Sequence, residues 1–87
     1  MNMNKEVKFL EKKIKKYVIA TIDGTYLKKT PSKNEYYFVE DIEVATKAMS
    51  KKMMQQILDY YYQDTMTNIK LLIVPVEITY ELIDESN

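Results

Sequence analysis

The sequence predicts an α+β fold: a small antiparallel sheet of three to four strands that opens with an N-terminal β-hairpin, one main helix packed on one face, and a short N-terminal helix. Three observations carry this. Asp23-Gly24 stands between two runs rich in β-branched and aromatic residues, 17–22 and 25–27, which is the signature of a two-residue hairpin turn. Met54, Ile57, Leu58 and Tyr61 fall at i, i+3, i+4 and i+7, the period of a helix with one apolar stripe. Val74, Val76, Ile78, Tyr80 and Leu82 alternate with Pro75, Glu77, Thr79, Glu81 and Ile83, the period of a strand with one face against a core.

Taken in chain order, residues 5–16 place Val7, Leu10 and Ile14 on one helical stripe, with Lys8, Glu11, Lys12 and Lys15 mostly away from it. Asn4 is placed to cap this helix, and its lysines gather towards the C-terminal end, where the helix dipole favours positive charge. Residues 1–16 thus read as a lysine-rich amphipathic helix preceding an α+β core at 17–83, all within a single domain of 1–87. Gly24, the only glycine, supplies a positive φ that the turn needs. Lys28–Asn34 reads as a loop and Tyr36–Glu40 as a third strand. Over Asp41–Met49 the apolar residues Ala45, Ala48 and Met49 point to a different helical face from Met54, so this segment is a connector with one helical turn. Ser50, able to accept from free backbone N–H groups, caps the main helix at Lys51–Gln63. Asp64–Asn68 is a turn, and the last strand follows, with Pro75 marking an edge or a bulge because it cannot donate to a ladder. The alternating apolar residues of that strand are expected to seal against the helix after Ser50.

With 87 residues, the chain buries only about 60–65% of its unfolded surface on folding, so its stability margin is thin. It contains neither histidine nor cysteine. That excludes a disulfide staple and a Cys/His zinc site, and it removes the side chains that carry most catalysis near neutral pH. A homodimer is one way such a chain gains stability. The first sixteen residues hold six Lys and two Glu without a continuous apolar core, and the longest apolar run, Leu71–Val76, is interrupted by Pro75. Neither reads as a signal peptide or a membrane span, so no membrane association and a cytoplasmic location are expected.

Thirteen basic and thirteen acidic groups cancel, but unevenly: residues 1–16 carry +4, while 41–87, with four Lys and eight Asp/Glu, carry −4. Such an asymmetry can orient a charged partner, or the two ends can simply pair with each other or stay solvated.

Glu40, Asp41, Glu43, Asp59, Asp64, Asp84 and Glu85 match no calcium or magnesium spacing, and the chain has no phosphate loop, nucleophile elbow or zinc signature. The expectation is a protein that is not an enzyme, with no cofactor and no metal. Eight tyrosines suit a protein that acts by contact. In Tyr60-Tyr61-Tyr62 successive residues are about 100° apart on a helix, so only Tyr61 shares the core stripe. Tyr60 with Met53 then forms a candidate partner-binding anchor, unless the N-terminal helix covers both. As an alternative, Lys5, Lys8, Lys12, Lys13, Lys15 and Lys16 would bind nucleic-acid phosphates. The absence of arginine and the neutral net charge disfavour this alternative. A structural homo-oligomer, joined through the N-terminal helix or an exposed sheet edge, is the third reading.

Tyr17-Val18-Ile19, Asp23-Gly24-Thr25-Tyr26-Leu27-Lys28, Tyr37-Phe38-Val39-Glu40-Asp41-Ile42 with Ala45-Thr46, and Val74-Pro75-Val76-Glu77-Ile78-Thr79-Tyr80 together resemble a family of small uncharacterised proteins from staphylococcal and related Gram-positive phages. The resemblance covers most of the chain after the first sixteen residues and carries no functional residues with it. It implies a phage accessory protein in the bacterial host cytoplasm, binding a host protein to inhibit or redirect an enzyme or a defence system.

Overall fold

The computed structural model of the protein describes residues 11–82; the expected helical residues 5–10, with Lys5 and Lys8, lie outside them. Four strands, β1 (Glu11–Ala20), β2 (Tyr26–Lys29), β3 (Tyr36–Val39) and β4 (Leu72–Glu81), form one sheet in the order β3-β2-β1-β4. Every pairing is antiparallel. A 3₁₀ turn (Ile42–Val44) and the helix α1 (Lys51–Thr65) lie between β3 and β4. This is the expected α+β class, with one helix on a four-stranded sheet.

Residues 11–16 are strand, not the second half of a helix: Glu11 to Lys16 pair one by one with Glu81 to Val76. Ile14 is the only apolar residue in that stretch, so no period identifies it locally, and ladder pairing with β4 decides its conformation. The β1–β2 hairpin forms with a longer loop than the two-residue turn expected. Gly24 donates its N–H to the Thr21 carbonyl at 3.3 Å, and Thr21 donates to the Thr25 carbonyl at 2.9 Å. Three residues, Ile22 to Gly24, thus make the loop. Gly24 alone among them has positive φ, +90°, as in a type I turn closed by a left-handed glycine.

The main core lies between α1 and one face of the sheet, while Val18, on the other face opposite Val74, and Ala45 of the connector are also buried. Ile19, Leu27, Ala48, Met54, Leu58, Tyr61 and Leu71 are buried in the main core, with Tyr17, Tyr36, Ile57, Tyr62 and Ile73 packed against them. Pairing sets the sheet face: Ile19 opposes Ile73 in β4, and Leu27 opposes Phe38 in β3. Because side chains alternate along a strand, Val74, Val76, Ile78 and Tyr80 point to the opposite face. The expectation that these residues seal against the helix is therefore overturned; the helix-facing apolar residues of this segment are Leu71 and Ile73.

α1 begins where expected and ends one half-turn later than expected. Ser50 Oγ accepts the Met53 N–H at 3.1 Å. At the other end Met66 takes the left-handed conformation, φ 59°, and donates its N–H to the Tyr62 carbonyl. Beyond Ala20 and Tyr26 no further β1–β2 register pairs occur within the strands, and the connector bridges the gap. Thr46 donates to the Leu27 carbonyl at 3.0 Å, while Ala48 and Tyr17 exchange both backbone bonds, at 2.8 and 3.1 Å. Lys47 Nζ donates to the carbonyls of Ile42, Glu43 and Ala45, which holds the 3₁₀ turn in shape; the Glu43 and Ala45 oxygens are ones its short ladder leaves open, whereas Ile42 also accepts the Ala45 N–H.

Candidate functional site

α1 divides its residues by angle. Met54, Leu58 and Tyr61 are buried, whereas Met53 is 51% and Tyr60 58% exposed. Seven positions apart, Met53 and Tyr60 lie on one outward stripe with Gln56 and Gln63. Met49, just before the Ser50 cap, adds a third exposed apolar side chain on the approach to the helix. Tyr60, Gln63 and Asp64 join Lys29 and Asn34 around a shallow groove of about 320 Å³. The groove runs between the end of α1 and the β2–β3 loop.

The rest of the tyrosine cluster is structural. Tyr61 sits edge-on to Tyr36 at 5.2 Å, Phe38 at 5.9 Å and Tyr62 at 5.7 Å between ring centroids, the arrangement in which ring edges meet ring faces favourably. Tyr62 donates its hydroxyl to the Ile69 carbonyl at 2.8 Å, pinning the segment that leads into β4. Tyr36 donates to Asp64 Oδ2 at 2.6 Å. Burial, then this hydrogen bond and the Asp64 charge, push the Tyr36 hydroxyl up to about 12. Tyr37 is raised from its ordinary value mainly by donating to Glu35. Of the three consecutive tyrosines, only Tyr60 is left facing solvent.

The four described lysines of the candidate set do not form a single row. Alternation along β1 puts Lys12 and Lys16 on one face and Lys13 and Lys15 on the other. Lys15 stands opposite Glu77 and holds its ammonium 5.5 Å from the Tyr17 ring centroid. Among the described residues no group of three or more carboxylates is placed to hold a metal ion, and no helix is long and apolar enough to cross a membrane.

Sequence reasoning missed the outer half of the β1–β4 pair, where Ile14, Val76 and Ile78 are half-buried and Tyr80 is 54% exposed. The ten-residue length of β4 and its unbroken even-numbered apolar row are the signal that marks it, since a strand this long calls for a partner along its outer half, which residues 11–16 supply. No family model, curated protein or solved structure matches the chain.

Proposed function

We propose that the protein is a non-catalytic binding module that docks a protein partner through the outer face of α1, with Met53 and Tyr60 as its anchors. The observation that carries this is their exposure on a helix whose other face is locked into the core. Interface anchors of this kind combine a large apolar body with a polar tip, and a rigid helix presents them at little entropic cost. The neighbouring groove, with Lys29, Asn34, Gln63 and Asp64, offers the polar rim that such an anchor needs. The resemblance to small phage proteins supplies the context: an accessory product in the bacterial cytoplasm, acting on a host enzyme or defence system. The nucleic-acid reading draws less support, because the β1 lysines divide between two faces and Lys15 stands opposite Glu77.

Affinity capture from a Gram-positive host lysate tests the proposal. The wild-type chain is expected to retain a stoichiometric protein that the Met53→Ala/Tyr60→Ala double variant loses by tenfold or more, at unchanged circular dichroism, on the order expected for two anchors. Equal recovery by both chains, or no partner at all, would count against it.

A further inference from the structure

The free edge of β4 has a pattern that fits a second copy of itself. Tyr17 directs both its backbone groups to Ala48, away from β4. In an antiparallel ladder the groups alternate in direction, so Lys12, Ile14, Lys16 and Val18 bond to β4, and Tyr17 and Pro75 form a pair without mutual hydrogen bonds. Pro75, Glu77, Thr79 and Glu81 therefore direct their backbone groups to the outer edge. Among the described residues no strand is paired to that edge. Ile73 faces the same way, but Pro75, which has no N–H, interrupts the outward row after it and leaves 75–81 as the continuous outer stretch, whose midpoint is Ile78.

The ribbon made by residues 11–16 and 76–81 is two strands wide, with no third strand beside it among the described residues. Two-stranded ribbons are marginal alone. Head-to-tail addition of copies would repeat every two strands, about 10 Å, whereas the four-stranded body at the ribbon's base spans about 19 Å. The bodies would overlap. A two-fold arrangement puts them at opposite ends instead.

We propose that β4 is a dimerisation edge, on which two copies pair antiparallel about a two-fold axis at Ile78. Charge selects this register. It sets Glu77 against the partner's Thr79, Val76 against the partner's Tyr80, and Pro75 against the partner's Glu81. A shift of one pairing step in either direction sets Glu77 against the partner's Glu77 or the partner's Glu81, and like charges directly opposite are destabilising. The chosen register also joins the apolar rows of the two ribbons, Val76, Ile78 and Tyr80 from each, into one face of a four-stranded sheet. This inference stands apart from the α1 reading, since the two surfaces share no residue.

Position 79 tests it, because the dimer and the protomer respond to charge there with opposite signs. Within the protomer Thr79 faces Lys13, so Thr79→Glu adds an attractive pair and Thr79→Lys a repulsive one. Across the two-fold axis the same residue faces the partner's Glu77 twice. Sedimentation equilibrium is expected to show a wild-type dimer whose dissociation constant rises about tenfold in Thr79→Glu and falls about tenfold in Thr79→Lys, while urea unfolding of dilute samples shows Thr79→Glu to be the more stable protomer. A wild-type chain that stays monomeric at millimolar concentration overturns the proposal. So does a dimer indifferent to position 79, which would place the contact on another surface, and so does a reversed order of the two variants.

Discussion

Tyr36 ties the edge strand β3 to the end of α1 through a single short bond from its hydroxyl to Asp64 Oδ2, 2.6 Å. Its hydroxyl titrates at about 12 in the folded chain, against about 10 for an unfolded tyrosine. A group whose folded pKa is raised contributes stability that is complete below the unfolded value and is lost as pH climbs through the folded one. The contribution of Tyr36 should therefore fade between about pH 10 and pH 12. Tyr36→Phe is expected to lower stability by about 1 kcal/mol at neutral pH in urea unfolding, the usual worth of such a bond, and to flatten the decline across that alkaline window. An unchanged pH profile would contradict the assignment. At Met66 the chain shows the opposite economy. A left-handed helix stop usually takes glycine, yet the single glycine is used at Gly24, and Met66 holds φ 59° with its side chain 87% exposed.

The elements differ in how far their sequences reveal them. α1 was legible because a serine cap, a four-residue apolar stripe and the absence of Gly or Pro all agree on one helix. The first hairpin was legible through Asp23-Gly24, although the loop length was not, since a left-handed glycine serves two-residue and three-residue loops alike. Residues 11–16 were not legible: four lysines and one isoleucine satisfy both periods, and the choice is made by residues 76–81, far away in sequence. The strand β4 was legible as a strand but not in its orientation. Both parities are apolar at its start, Leu71 and Ile73 on one side and Leu72 and Val74 on the other, and only the position of α1 shows which is core. Leu58→Ala should accordingly cost about 2–5 kcal/mol, the range for a buried leucine. Ile78→Ala, on the ribbon, should cost the dilute protomer less than about 1.5 kcal/mol. Equal losses in parallel urea titrations would return the even row of β4 to the core and overturn the sheet orientation.

For the molecule as a whole, the antiparallel pairing of residues 11–16 with 76–81 brings the basic start of the chain alongside the acidic end. The asymmetry seen along the sequence is thus reduced in space, with Lys15 facing Glu77, and a strong basic surface on this ribbon does not result. What remains is a small body whose helix shows Met53 and Tyr60 to solvent and whose ribbon shows an edge that no strand among the described residues pairs. Both features suit a protein that works by contact. The most direct measurement of that claim is photo-crosslinking in a Gram-positive bacterial lysate with a benzophenone side chain in place of Tyr60. The same group at Gln55, also exposed and about 140° away around α1, serves as the control. One dominant protein adduct from position 60 and none from position 55 is the predicted result; labelling from both positions alike, or from neither, would contradict it.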